Sequence, residues 1–299
     1  MSVIEDPAAP IAIPMRDEAT IARRERLRVL RRSPAFVLGG VLVGVWVVCA
    51  ILGTLIAPHD PAADDVLNKL GAPSADHLFG TDRLGRDVLS RVIVGAREIL
   101  ITAPLATILG TVAGTAIGLV TGYYRGLVDD VVMRIVDAML AVPLIIIALL
   151  AITAIPPERL EPRLTLVLVI GTVFALIIAK TVRAAVLSER GLDYVQAARL
   201  RNERSPYILF AEILPNVMGP IVVEFTVRLG YAIFTIATLA FLGFSADPSI
   251  PDWGRDISEH YQFISAGVWW AVLFPSLAIA TLIIGINLMA DAIAQTFER

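Results

Sequence analysis

The run Asp193-Tyr194-Val195-Gln196-Ala197-Ala198-Arg199-Leu200-Arg201-Asn202, closed further on by Ile213-Leu214-Pro215-Asn216, decides the fold. It is a polar, arginine-rich island between two long apolar runs. Small Ala197 and Ala198 let a short helix approach a partner surface closely. Pro206 divides the island into two helical pieces, because proline breaks a helix interior. Lys and Arg collect in cytoplasmic loops, so Arg199, Arg201 and Arg204 place the island on the cytoplasmic face of a membrane.

The apolar runs on either side fix the class. The 299 residues are 57% hydrophobic, with a mean hydropathy of +0.75. Soluble domains carry about 45–50% apolar residues, and a span needs about 20 in a row. The net charge of −3 says little, since position matters more than the sum. The single cysteine, Cys49, lies inside an apolar run and reads as a small apolar side chain.

Six spans are expected: Phe36–Ala57, Ile99–Val120, Val128–Ile155 with a kink at Pro143, Leu164–Leu187, about Ile213–Leu242, and Gly267–Ala290. Gly110, Gly114 and Gly118 recur every four residues in the second span and make a flat face for another helix. Arg134 and Asp137 share one side of the third. Lys180 and Arg183 snorkel from the end of the fourth. Glu224 and Arg228 form an i,i+4 pair in the fifth. Before the first span, residues 16–32 carry seven arginines, which hold the N-terminus inside. That region is too long, and the run after it too extended, for a cleaved signal peptide.

Two loops are expected on the outer side. The first contains His77-Leu78-Phe79-Gly80-Thr81-Asp82-Arg83-Leu84-Gly85-Arg86-Asp87-Val88-Leu89-Ser90-Arg91. Asp82/Arg86 and Asp87/Arg91 are spaced as i,i+4 pairs and predict a short surface helix. The second contains Pro248-Ser249-Ile250-Pro251-Asp252-Trp253-Gly254. Trp253, Trp269 and Trp270 suit an aromatic belt at the outer interface. A carboxylate–His metal site from Asp76, His77 and Asp82 is not expected, because these ligands are irregularly spaced and no other His is near in sequence.

The island resembles the cytoplasmic coupling loop of bacterial ABC-importer permeases: Glu-Ala-Ala, three residues, Gly, then Ile-Leu-Pro. Gln196 stands where that family has Glu, and Asn202 where it has Gly. The stretch from His77 to Arg97 resembles the outer-loop signature of one branch, the C-type second permease of dipeptide, oligopeptide and nickel importers. The Pro-rich Trp-Gly loop is similar to a second signature of that branch. The resemblance covers the chain from Phe36 onward.

It implies an all-α membrane protein of six transmembrane helices in the type I importer fold, with both termini cytoplasmic, in the cell membrane. It implies a tail over residues 1–33, a first span and outer loop over 34–96, a permease domain over 97–291 with the coupling loop at 190–215, and a cytoplasmic tail over 292–299. The coupling residues it implies are Asp193, Tyr194, Gln196, Ala197, Ala198, Asn202, Leu214 and Pro215. The outer-signature residues are Gly80, Thr81, Asp82, Gly85, Arg86, Asp87, Pro251, Trp253 and Gly254. The implied partners are a related second permease, two ATP-binding subunits or one two-domain ATPase chain, an extracytoplasmic substrate-binding protein and membrane lipid, without nucleic acid.

The expected cargo is a peptide, with nickel or another metal ion as the alternative. No cofactor is expected in this chain: it has no Gly-x4-Gly-Lys-Ser/Thr loop, so ATP belongs to the partners, and it has no His-Glu-x-x-His pair or other catalytic constellation. An ion-coupled secondary carrier would need ionisable residues near mid-membrane and repeat symmetry, whereas here the charges gather at helix ends. An intramembrane protease would need a paired nucleophile and base within the spans.

Overall fold

The computed structural model describes residues 30, 32–155, 160–245 and 250–297. Most of the arginine-rich segment and the Pro248-Ser249 pair lie outside them. The described residues are almost wholly helical, with one isolated β-bridge between Thr81 and Asp87.

Ser33 starts α1 (Pro34–Ile56): its side chain accepts from the Phe36 N–H, and Pro34 sits where a missing N–H costs least. Next come α2 (Val88–Tyr124), α3 (Leu127–Leu140), α4 (Leu144–Ala154), α5 (Pro162–Glu189) and α6 (Asp193–Leu200). An irregular stretch follows: a short turn at Ser205–Tyr207, a π-helical turn at Ile208–Ile213 and a further turn at Leu214–Asn216. Then come α7 (Met218–Phe241), α8 (Trp253–His260), a 3-10 turn at Tyr261–Ala266 and α9 (Trp270–Phe297).

Five of these helices, α1, α2, α5, α7 and α9, are long and apolar enough to cross a membrane. The expected third span is divided. α3 and α4 pass the same test only together, and they meet at 90° around Pro143. Proline has no N–H for the helix ladder and drives the preceding residue out of the α region, so the kink expected at Pro143 is a full corner. Arg134 does not pair with Asp137 as its spacing suggested; Asp137 instead accepts from Lys180 Nζ on α5 at 2.7 Å.

The helix ends also shift. α2 begins eleven residues before the expected second span, so the 96/97 domain boundary cuts a continuous helix. α9 runs to Phe297, so the expected tail at 292–299 is helical over its first six residues. The fifth span is expected from Ile213, but α7 starts at Met218.

α5 is the central element and packs along most of α2. The reason is the glycine ladder. A Cβ on Gly110, Gly114, Gly118 or Gly122 would stand 2.7–2.8 Å from Phe174, Ala175, Val182 or Val186. The spacing read from three glycines extends to a fourth, and it lets two backbones close together without lipid between them. Arginines fasten α5 at both ends. Arg163 bonds Glu98 on α2 at 3.0 and 2.8 Å, and Arg183 bonds Asp129 on α3 at 2.5 and 2.6 Å. α1 lies outside this core, against α9 and α2, and leaves Val41, Ile51 and Leu55 exposed.

Candidate functional site

Two polar assemblies sit at opposite ends of α2. At its N-terminal end the two signature loops interlock. Thr81 accepts from the Gly71 N–H at 2.8 Å through Oγ1, and its carbonyl accepts from Trp270 Nε1 at 3.0 Å. Asp82 is buried and closes a turn: Oδ1 accepts from the Leu84 and Arg86 amides at 2.7 and 2.9 Å, and Oδ2 from Arg86 Nε at 2.6 Å. Gly80 and Gly85 take φ of 71° and 85°, where the backbone needs a residue without Cβ.

The pair Asp82/Arg86 therefore exists, but it spans a turn and not a surface helix. The second expected pair does not form through side chains. Asp87 caps α2, and its Oδ2 accepts from the Ser90 N–H and Oγ at 2.8 and 2.7 Å. A carboxylate at an N-cap satisfies the orphan amides of the first turn. Arg91 bonds instead Asp256 of α8, in the other loop, and the Pro61 carbonyl in its own. His260 is buried beside it, bonding the Asp256 carbonyl at 2.6 Å and accepting from the Arg83 N–H at 3.2 Å.

Asp256 and His260 were not singled out in the sequence. The available signal was an amphipathic turn after Asp252, whose side chain caps α8 by accepting from the Gly254 and Arg255 amides. Burial pushes the Asp252 carboxyl above its ordinary range.

The tryptophan belt is corrected. Trp253 is buried, and its Nε1 donates to the Val92 carbonyl at 2.9 Å; Trp270 is also buried, and Trp269 alone of the three is exposed. Pro251 is buried, and Gly254 packs so tightly that a Cβ would stand 2.2 Å from the Ala237 carbonyl oxygen. Pro251, Trp253 and Gly254 thus join Gly80–Asp87 in a single locked structure. His77 does not gather Asp76 and Asp82 as ligands; the groups that approach it are Asp87 and His59.

At the other end, α6 carries the island. Its Val195 and Ala198 are buried against the chain itself, whereas Asp193, Gln196, Ala197 and Leu200 are exposed, Leu200 at 89%. Ala198 therefore does not present itself to a partner, contrary to the expectation from its size. Asn202 has φ 62°. The Asn202 N–H bonds the Arg199 carbonyl at 2.9 Å and the Glu203 N–H bonds the Ala198 carbonyl at 3.2 Å, the two bonds of a Schellman stop. That turn ends α6, and Pro206 begins the next piece.

Pro215 has no N–H to bond four residues back, and the π turn before it widens the ladder so that the Leu214 N–H reaches Leu209. Tyr194 donates to Glu189 at 2.6 Å; burial, then this bond, push its phenol up to about 12. Arg199 lies over the Tyr123 ring at 5.1 Å. Burial, then the charges of Arg199 and Arg125, lower the Arg190 guanidinium below its ordinary value.

Residues 114–299 match the family model of the binding-protein-dependent transport system inner membrane component, and residues 23–73 match the N-terminal transmembrane domain of oligopeptide transport permease C. The chain is 33% identical over 291 residues to a dipeptide transport system permease protein of Alkalihalophilus pseudofirmus, covering 97% of this chain and 94% of the relative. It is 37% identical over 275 residues to a dipeptide transport system permease protein of Escherichia coli K12, covering 90% of each. A di/tripeptide transport system permease protein of Pseudomonas aeruginosa is 33% identical over 268 residues, 87% of each chain.

Proposed function

The chain belongs to the family of inner-membrane components of binding-protein-dependent transport systems, and from that premise we propose that it forms half of the path for a di- or oligopeptide in an ATP-driven importer. It is a multi-pass, non-catalytic permease of the cell membrane. Peptide is the substrate named by each of the three relatives, which supports it over nickel.

The observation that carries the coupling role is the outward face of α6. Gln196, Ala197 and Leu200 are exposed on a helix fixed by its Schellman stop and seated on the buried Ile208, Leu209 and Ile213. An apolar Leu200 left in water is unfavourable, and an ATPase groove would bury it. Tyr194, bonded to Glu189, Asn202, at the stop, and Leu214, packed on the core, hold that helix in place, with Asp193 and Pro215 exposed beside it. ATP-driven closure of the ATPase pair would push it, and the bundle would rock between two states. In this reading the coupling end and both termini face the cytoplasm, and the signature loops face the binding protein outside. The second permease completes the path, ATP is held by the partner subunits, and the chain itself needs no cofactor.

The test is reconstitution. With its partner permease, ATPase subunits and binding protein in liposomes, the chain supports ATP-dependent uptake of radiolabelled dipeptide. Uptake of nickel without dipeptide transfers the assignment to metal. Uptake by this chain without ATPase subunits ends the importer reading and favours a secondary carrier.

A further inference from the structure

We propose that His59, His77 and Asp87 form a binding site for a borderline divalent metal ion of the zinc class at the signature-loop end. Asp87 Oδ1 lies 3.0 Å from His77 Nδ1 and 3.8 Å from His59 Nδ1. One potential ligand atom from each residue lies within 4.8 Å of the others. Zinc binds imidazole nitrogen and carboxylate oxygen at about 2.0–2.2 Å, so neighbouring ligands of a tetrahedral ion stand about 3.3–3.6 Å apart. The two separations from Asp87 Oδ1, 3.0 and 3.8 Å, lie on either side of that value, and small side-chain rotations would bring all three atoms onto one ion.

Each ligand is already held by a second contact. Both Asp87 Oδ2 bonds go to Ser90, which turns Oδ1 toward the two rings. The His59 amide donates to Ser90 Oγ at 3.0 Å, so the same serine positions a second ligand. His77 is fixed through its backbone: its N–H bonds Ser74 Oγ at 3.1 Å, and its carbonyl accepts from the Ser74 and Gly80 amides at 2.9 Å each. Such supporting bonds orient metal ligands. The two ring centroids lie 4.6 Å apart with their planes tilted by 38°, and a nitrogen of each faces the same carboxylate oxygen.

The donor set also selects the ion. Two imidazoles and one carboxylate suit zinc and its neighbours over magnesium or calcium, which take oxygen ligands. The Asp87 side chain is 1% exposed and that of His59 42%, so the site is open on one side and a fourth position remains for water or another ligand. The bare hydrogen bond between His77 and Asp87 explains two of the three residues. It does not explain why His59, eighteen positions earlier in the chain, is brought to the same oxygen. A bound ion would tie the segment just after α1 to the first turn of α2.

The experiment uses the full-length chain in detergent micelles and zinc chloride as the probe. Metal content after equilibrium dialysis and heat on titration are measured for the wild type and for His59→Ala, whose half-exposed side chain meets only the other two ligands, His77 and Asp87, among the contacts described above. The wild type is expected to show one saturable zinc site, absent in His59→Ala, with a zinc-dependent rise in melting temperature that is lost alongside it. X-ray absorption of the zinc-loaded chain should show two imidazoles. Equal zinc uptake by wild type and His59→Ala, no saturable uptake, or a zinc shell without imidazole overturns the proposal.

Discussion

Trp253 lies against Gly95: a Cβ on that glycine would stand 2.9 Å from the indole Cδ1 and Nε1. The ring cannot yield easily, because Nε1 is bonded to the Val92 carbonyl and Trp46 meets it edge-on at 4.9 Å. The second signature loop is thus seated in a notch made by one turn of α2.

Gly95→Val should overfill that notch at a cost of about 1–3 kcal/mol. Thermal melting in detergent is the measurement, with Gly40→Val as control, since nothing lies near a Cβ there. Equal melting of the two variants would show that the loop moves aside freely.

Arg163 and Glu98 give an asymmetric prediction. Glu98 is the more buried partner, with 7% of its side chain exposed against 30% for Arg163. Arg163→Met strands a buried carboxylate, a loss of about 3–5 kcal/mol for a broken buried pair. Glu98→Gln leaves the guanidinium nearer solvent and keeps an acceptor for Thr102 Oγ1, so it should cost less. The double variant should recover part of the Arg163→Met loss, since the stranded charge is gone. Melting temperatures of the three variants decide it, and equal losses for the two singles refute the argument from burial.

Asn202 predicts a substitution order. At φ 62° a residue with an ordinary side chain pays about 1–2 kcal/mol. Asn202→Gly should be neutral or slightly stabilising, and Asn202→Val should release the end of α6. Copurification with the ATPase subunits reads this out: intact for glycine, weakened for valine. A valine variant that associates normally would mean that the stop is dispensable.

Five spans, the glycine ladder and the paired Glu224 and Arg228 were legible because they depend on local period and spacing; that pair forms at 2.8 Å. The departure at Asn202 was visible as a letter, and its reason, a left-handed turn, needed the backbone. The 90° corner at Pro143 was underestimated because periodicity shows that proline disturbs a helix and not how far the two halves diverge. The fates of Trp253 and Arg91 were hidden for another reason: their partners, Val92 and Asp256, lie 161 and 165 positions away. Spacing arguments reach one or two helical turns, and the signature end is built from contacts between distant loops.

The outward face of α6 gives the sharpest test. Residue size alone points to Ala198 as the contact that must enter a partner groove, and on that basis Ala198→Arg would spare folding and abolish docking. The structure reverses the expectation. Ala198 is fully buried in its own chain, so an arginine there must displace the packing of α6 on Ile208–Ile213 or bury an unpaired charge. Ala198→Arg should lower the yield and the melting temperature of the isolated permease. Leu200→Asp removes an exposed apolar group and touches no packed side chain, so the permease should express and melt like the wild type. What it should lose is ATPase copurification, and with it ATP-driven uptake. Gln196→Glu keeps length and a hydrogen-bonding oxygen at an exposed position and should retain both. The four chains, wild type included, are compared for yield, melting, pull-down and uptake. Normal pull-down and uptake by Leu200→Asp would remove α6 as the coupling element, whatever Ala198→Arg does.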